Sequence, residues 1–134
     1  MSRRLLQAYL RVLASVAVVF GLQGVAKGVA GVRGAAPDLD GTRVGVRSVD
    51  SELRFFAAWY ALAGVLLFRA AKRPESETVT VRGVSVAVWL AAVGRLLSIR
   101  SLGRPHPLFV ALLGVELVVP AIALPWQARV ARAR

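Results

Sequence analysis

Apolar residues fall into four blocks, near positions 5–26, 53–71, 79–99 and 107–126, separated by charged or turn-forming segments. Each block is about 20 residues long, the length a helix needs to cross ~30 Å of hydrocarbon. Within a block the apolar residues do not form a single stripe. Trp59-Tyr60-Ala61-Leu62-Ala63-Gly64-Val65-Leu66-Leu67-Phe68 has no polar face to turn toward water, whereas a soluble four-helix bundle needs one on every helix. Charges do interrupt the blocks: the longest uncharged runs cover only 12–26 and 55–68. The pattern nonetheless predicts an all-α fold, a four-transmembrane-helix bundle forming a single membrane domain over 1–134.

Arg3 and Arg4 followed by the apolar run 12–20 imitate a secretory leader. Arg11 crowds that run, and no convincing small-x-small cleavage site precedes Lys27. Three further apolar blocks follow, so the first is read as a retained helix.

Composition sharpens this picture. The 134 residues are 57% hydrophobic before the 12 glycines are added. That is too much apolar surface for so small a globule to hide, and too much for a disordered chain. With no Cys and one His, neither a disulfide scaffold nor a Cys/His metal site can be built. No phosphate-binding glycine loop or nucleophile elbow occurs, and no cofactor is expected. The net charge of +11 raises nucleic acid as a partner. The basic residues, however, are scattered at block ends and termini rather than gathered on one stripe with aromatics, which suits anionic lipid headgroups and not nucleic acid.

Four crossings place both termini and the 72–78 connection on one side. That side carries eight Lys/Arg, namely Arg3, Arg4, Arg69, Lys72, Arg73, Arg129, Arg132 and Arg134. The other side carries six: Lys27, Arg33, Arg43, Arg47, Arg100 and Arg104. The bias predicts that both termini are cytoplasmic. The outward loop, about 27–51, holds Asp38, Asp40, Asp50 and Glu52. Its stretch 38–47 reads as a turn plus short extended segments. Gly103, Pro105 and Pro107 mark a tight reversal, with Pro107 suited to the first turn of the last helix.

Ionisable residues inside spans carry the most information, because a charge there is costly and usually faces the protein interior. Glu116 lies nine residues in from Pro107, about 13 Å along a helix and close to the midplane. Arg95, four residues from the outward end of its span, can reach toward it or snorkel outward. Ser98 shares a helical face with Arg95, and Glu52 and Arg54 stand at the outward end of the second span. These residues support three readings: a structural Arg95–Glu116 ion pair with Arg54 at the interface, a polar pocket in which Arg54 and Arg95 receive an anionic or polar ligand, and a proton relay through Glu116. Gly21, Gly24, Gly28 and Gly31 form a small-residue face on which another helix can pack closely, within the chain or in a dimer. Trp126, Trp59 and Tyr60 suit the membrane interface, Trp89 suits internal packing, and His106 reads as an exposed loop histidine.

Ser51-Glu52-Leu53-Arg54-Phe55, Gly94-Arg95-Leu96-Leu97-Ser98, and Gly103-x-Pro105 followed by Glu116 and Pro120 form an ordered set. The chain, from about 5 to 126, resembles a family of small four-helix bacterial membrane proteins classed only as a domain of unknown function. The resemblance implies four spans and makes Arg54, Arg95, Ser98 and Glu116 family-type positions. It implies no reaction. Ala-, Val-, Arg- and Gly-rich composition agrees with a bacterial source. The expected protein is multi-pass in the bacterial inner membrane. Its expected role is a non-enzymatic accessory or structural subunit, partnered by lipids and by a membrane complex or a second copy. The alternatives are a lipid or small hydrophobic ligand site and a small proton-coupled transporter.

Overall fold

The computed structural model describes residues 2–32 and 43–133. Four α-helices account for nearly all of them: α1 (Arg3–Lys27), α2 (Arg43–Lys72), α3 (Thr78–Leu102) and α4 (Pro107–Arg132). A single 3-10 turn (Gly28–Gly31) extends α1, and there are no strands among the described residues. All four helices are long and apolar enough to span a membrane, as expected. Their large apolar side chains are mostly open: Val12 is 63% exposed, Leu90 66% and Leu97 62%. An apolar surface of that extent is untenable in water and suits lipid.

One element departs from the expectation. Helix α2 begins at Arg43, about ten residues before the predicted start near 53. Residues 43–47, expected to be extended, are its first turns; hydropathy marks where a helix meets hydrocarbon, not where the helix begins. The rest of the expected turn, 38–42, lies outside the described residues.

The chain divides into two compact units. The first comprises Met1–Leu10 and Arg69–Arg134, so it contains all of α3 and α4, the first turns of α1 and the last turn of α2. Leu6, Leu10, Ala70, Ala71, Val81, Ala92, Leu113, Ala123 and Val130 make its core. Arg3 pairs with Glu75 at 3.0 Å, and Gln7 Nε2 donates to the Lys72 carbonyl at 3.2 Å. These contacts tie the start of α1 to the turn that follows α2. Helix α3 stops at Gly103, whose φ of +90° is one an L side chain rarely adopts. Helix α4 starts at Pro107, with His106 Nδ1 accepting the Leu108 N–H at 3.3 Å. The histidine read as incidental is therefore a helix cap.

Pro120 and Pro125 lie inside α4. Each lacks the N–H that would reach the carbonyl four residues back, and its ring crowds that turn. Two side chains supply donors beside Pro120: Trp89 Nε1 to the Leu117 carbonyl (3.2 Å) and Tyr9 Oη to the Val119 carbonyl (3.1 Å). Trp126, expected at the membrane interface, is buried within the protein, its ring tilted 33° against Tyr9 with centroids 5.8 Å apart.

The second unit is Arg11–Phe68, the remainder of α1 with most of α2. It is held by close backbone approach. A Cβ placed on Gly24 would lie 2.5 Å from the Ala57 Cβ, and one on Gly64 2.8 Å from the Ala14 carbonyl oxygen. One on Gly21 would meet the Ala57 and Ala61 backbone. The two helices can pack at this separation only with glycine at these positions.

Candidate functional site

The polar residues inside the spans form one constellation in each unit. In the first, Arg95 on α3 faces Glu116 on α4. The Arg95 Nε–H lies 2.8 Å from Glu116 Oε2 and 3.0 Å from Oε1. The Glu116 side chain is 10% exposed and that of Arg95 29%. The Phe109 ring sits 5.7 Å from the Arg95 guanidinium carbon and adds a cation–π contact. Helical geometry sets this up: the carboxylate lies on the buried face of α4 that also carries Leu113, Pro120 and Ala123. Arg95 is three residues from the buried Ala92 on α3. A carboxylate so placed is stabilised by the cation and desolvated by its surroundings at once.

Ser98 does not join the pair. It is exposed, and its carbonyl accepts from Ser101 Oγ at 3.3 Å.

In the second unit Arg54 is engaged by a residue that the sequence reading did not single out. Asp50 Oδ2 accepts from Arg54 Nε at 2.7 Å, and Oδ1 accepts the Val29 N–H at 2.8 Å. Arg54 Nη1 donates to the carbonyls of Val25 (2.6 Å) and Ala26 (3.1 Å). The arginine thus caps the C-terminal end of α1, where helix carbonyls lack partners and carry partial negative charge. Asp50 holds the arginine and also the first turn beyond the helix. Gly28, at φ +52°, permits that turn, and any Cβ there would collide with Asp50. The signal for Asp50 was present in the sequence as its i,i+4 spacing to Arg54. The Glu52 side chain is exposed and makes no hydrogen bond or ion pair among the described residues.

Of the glycine face, Gly21 and Gly24 pack on α2, Gly28 forms the turn, and Gly31 meets only Lys27 of its own segment. Gln127, also not singled out, is fully buried; its Nε2 donates to Thr78 Oγ1 (2.7 Å) and to the Pro74 carbonyl (3.2 Å). It joins the end of α4 to the start of α3. Among the described residues no cluster of His, Asp or Glu is arranged to hold a metal ion.

Comparison with known families adds one finding. The model of the Domain of unknown function (DUF4345) matches residues 5–127, nearly the whole chain. The protein belongs to the DUF4345 family. No curated protein and no solved structure matches it. In this DUF4345 protein, then, the two arginines singled out in the sequence as ion-pair or ligand-binding candidates each have a partner in the fold: Glu116 for Arg95 and Asp50 for Arg54.

Proposed function

We propose that this protein is a non-enzymatic accessory or structural subunit of a membrane complex, multi-pass in a bacterial inner membrane with both termini cytoplasmic. The observation that carries the reading is the engagement of Glu116. Both of its carboxylate oxygens face the Arg95 guanidinium across α3 and α4. Tyr9, Arg54, Trp89 and Gln127, within and at the ends of the spans, also bond to neighbouring backbone or side chains. This chemistry fixes helices to one another, and it leaves the exposed apolar faces for lipid and for a partner chain. The cytoplasmic termini rest on the bias of eight Lys/Arg to six between the two sides.

The pairing of Glu116 also weighs against the ligand-pocket and proton-coupled readings, both of which need that carboxylate or Arg95 to exchange partners. Affinity purification from native membranes in mild detergent, followed by mass spectrometry and mass photometry, tests the proposal. A stoichiometric second protein or a second copy is the expected result. A lone monomer with nothing recovered overturns it. Proton-driven uptake in vesicles, abolished by Glu116→Gln, would overturn it in favour of transport.

A further inference from the structure

Arg11 and Arg82 both lie inside apolar spans, and neither makes a hydrogen bond or ion pair through its guanidinium among the described residues. Arg11 is exposed on α1 beside Val12, itself 63% exposed. Ser15, one turn along, turns its hydroxyl back to the Arg11 carbonyl at 3.0 Å. Arg82 is exposed on α3 between Val79 (86% exposed) and Val86 (50%), which flank it on the same helical face. The Arg82 guanidinium therefore leaves α3 on a strip of open apolar side chains, and Arg11 leaves α1 on an open face that it shares with Ala8 and Ser15. The acids that pair within the fold do so with other cations: Asp50 with Arg54, Glu75 with Arg3, Glu77 with Arg69 and Glu116 with Arg95.

We propose that Arg11 and Arg82 are two separate contact points for the phosphate of anionic membrane lipids. Three physical points support a lipid headgroup over an acidic side chain of another protein. Both residues sit near the N-terminal end of their helix, four residues after Thr78 for Arg82 and eight after Arg3 for Arg11, about 6 and 12 Å along the axis. The Cα–Cβ bond of a helical residue tilts toward the helix N-terminus, so both stems already lean toward the nearer headgroup layer. A long arginine stem covers apolar surface while its charge reaches phosphate, and the planar guanidinium matches phosphate in a bidentate way. The arrangement occurs independently on two helices, and each carries the inference without the other.

The test uses the full chain in mixed micelles, titrated with phosphatidylglycerol and, separately, with zwitterionic phosphatidylcholine, and read by native mass spectrometry. Wild type is expected to retain phosphatidylglycerol preferentially. Arg11→Gln and Arg82→Gln should each weaken it about fivefold, equivalent to ~1 kcal/mol per basic residue at an anionic surface, with an additive loss in the double variant. Arg11→Lys and Arg82→Lys should retain most of the binding, and they serve in place of any Gln variant that misfolds by circular dichroism. Retention of phosphatidylglycerol at wild-type strength by the folded double Gln variant overturns the proposal. So does a photocrosslinker at position 11 or 82 that captures an acidic helix of another chain instead of lipid.

Discussion

Replacing Arg95 with Leu removes the cation and leaves Glu116, 8% exposed, facing α3 without its compensating charge. Breaking a buried ion pair from one side costs about 3–5 kcal/mol. The Arg95 side chain is 29% exposed, so part of its charge is already screened, and the lower end, about 3 kcal/mol, is expected. Glu116→Leu leaves the more open partner, which can reach the interface by snorkelling, and should cost less, about 1–2 kcal/mol. Removing both residues at once leaves no orphan charge and places two apolar side chains where the pair stood. The double variant should then lie within about 1 kcal/mol of wild type. The assay is reversible unfolding in mixed micelles with increasing dodecyl sulfate, followed by tryptophan fluorescence and circular dichroism, on all four members of the cycle. The coupling energy across the cycle should be about 3–5 kcal/mol. If the two single costs simply add in the double variant, the pair does not lock α3 to α4 and the structural reading of the site is wrong.

Other outcomes follow from the same geometry. Gly64→Val drives a side chain against the Ala14 carbonyl and Val18 and should cost about 1–3 kcal/mol, whereas Gly94→Ala, with nothing within 4 Å of the added methyl, should be neutral or stabilise by up to ~1 kcal/mol. Thermal melting of the two variants in detergent checks the contrast, and equal losses would contradict it. Asp50→Ala should free the Val29 amide and loosen the Arg54 cap, seen as faster hydrogen exchange across 25–31 with little change in α4. Unchanged exchange there would show that the cap does not hold the end of α1. Gln127→Leu leaves the Pro74 carbonyl and Thr78 without their donor and should destabilise by about 1–3 kcal/mol, with faster exchange at the start of α3 as its signature.

Parts of the candidate site were readable in the chain, for a definable reason. A charge inside an apolar span is so unfavourable that its position marks the residue out, and Arg95, nearer the outward end of its span than Glu116, has a side chain long enough to reach toward it. Arg54 was equally visible, but its partner was missed. Asp50 lay in a segment assigned to a loop, and only a helix beginning at Arg43 brings residues 50 and 54 onto one face. Gln127 gave no signal, since a lone glutamine past the end of an apolar block looks like any interfacial polar residue. Trp126 sits where a membrane boundary is expected, but nothing in the sequence pairs its ring with Tyr9.

The sequence by itself determined the number of spans, their approximate limits and the residues whose charge had to be answered. Those properties depend on composition along a line, and a bilayer filters composition by depth. Only the tertiary structure decided which side chains meet. Contact depends on the rotation of each helix about its axis and on register between helices, and a shift of one residue turns a side chain by about 100°. That rotation puts Glu116 against Arg95, turns Ser98 to the exterior and buries Gln127 against Thr78. It also seats Gly24 and Gly64 at the α1–α2 contact while leaving Gly83, Gly94 and Gly114 open.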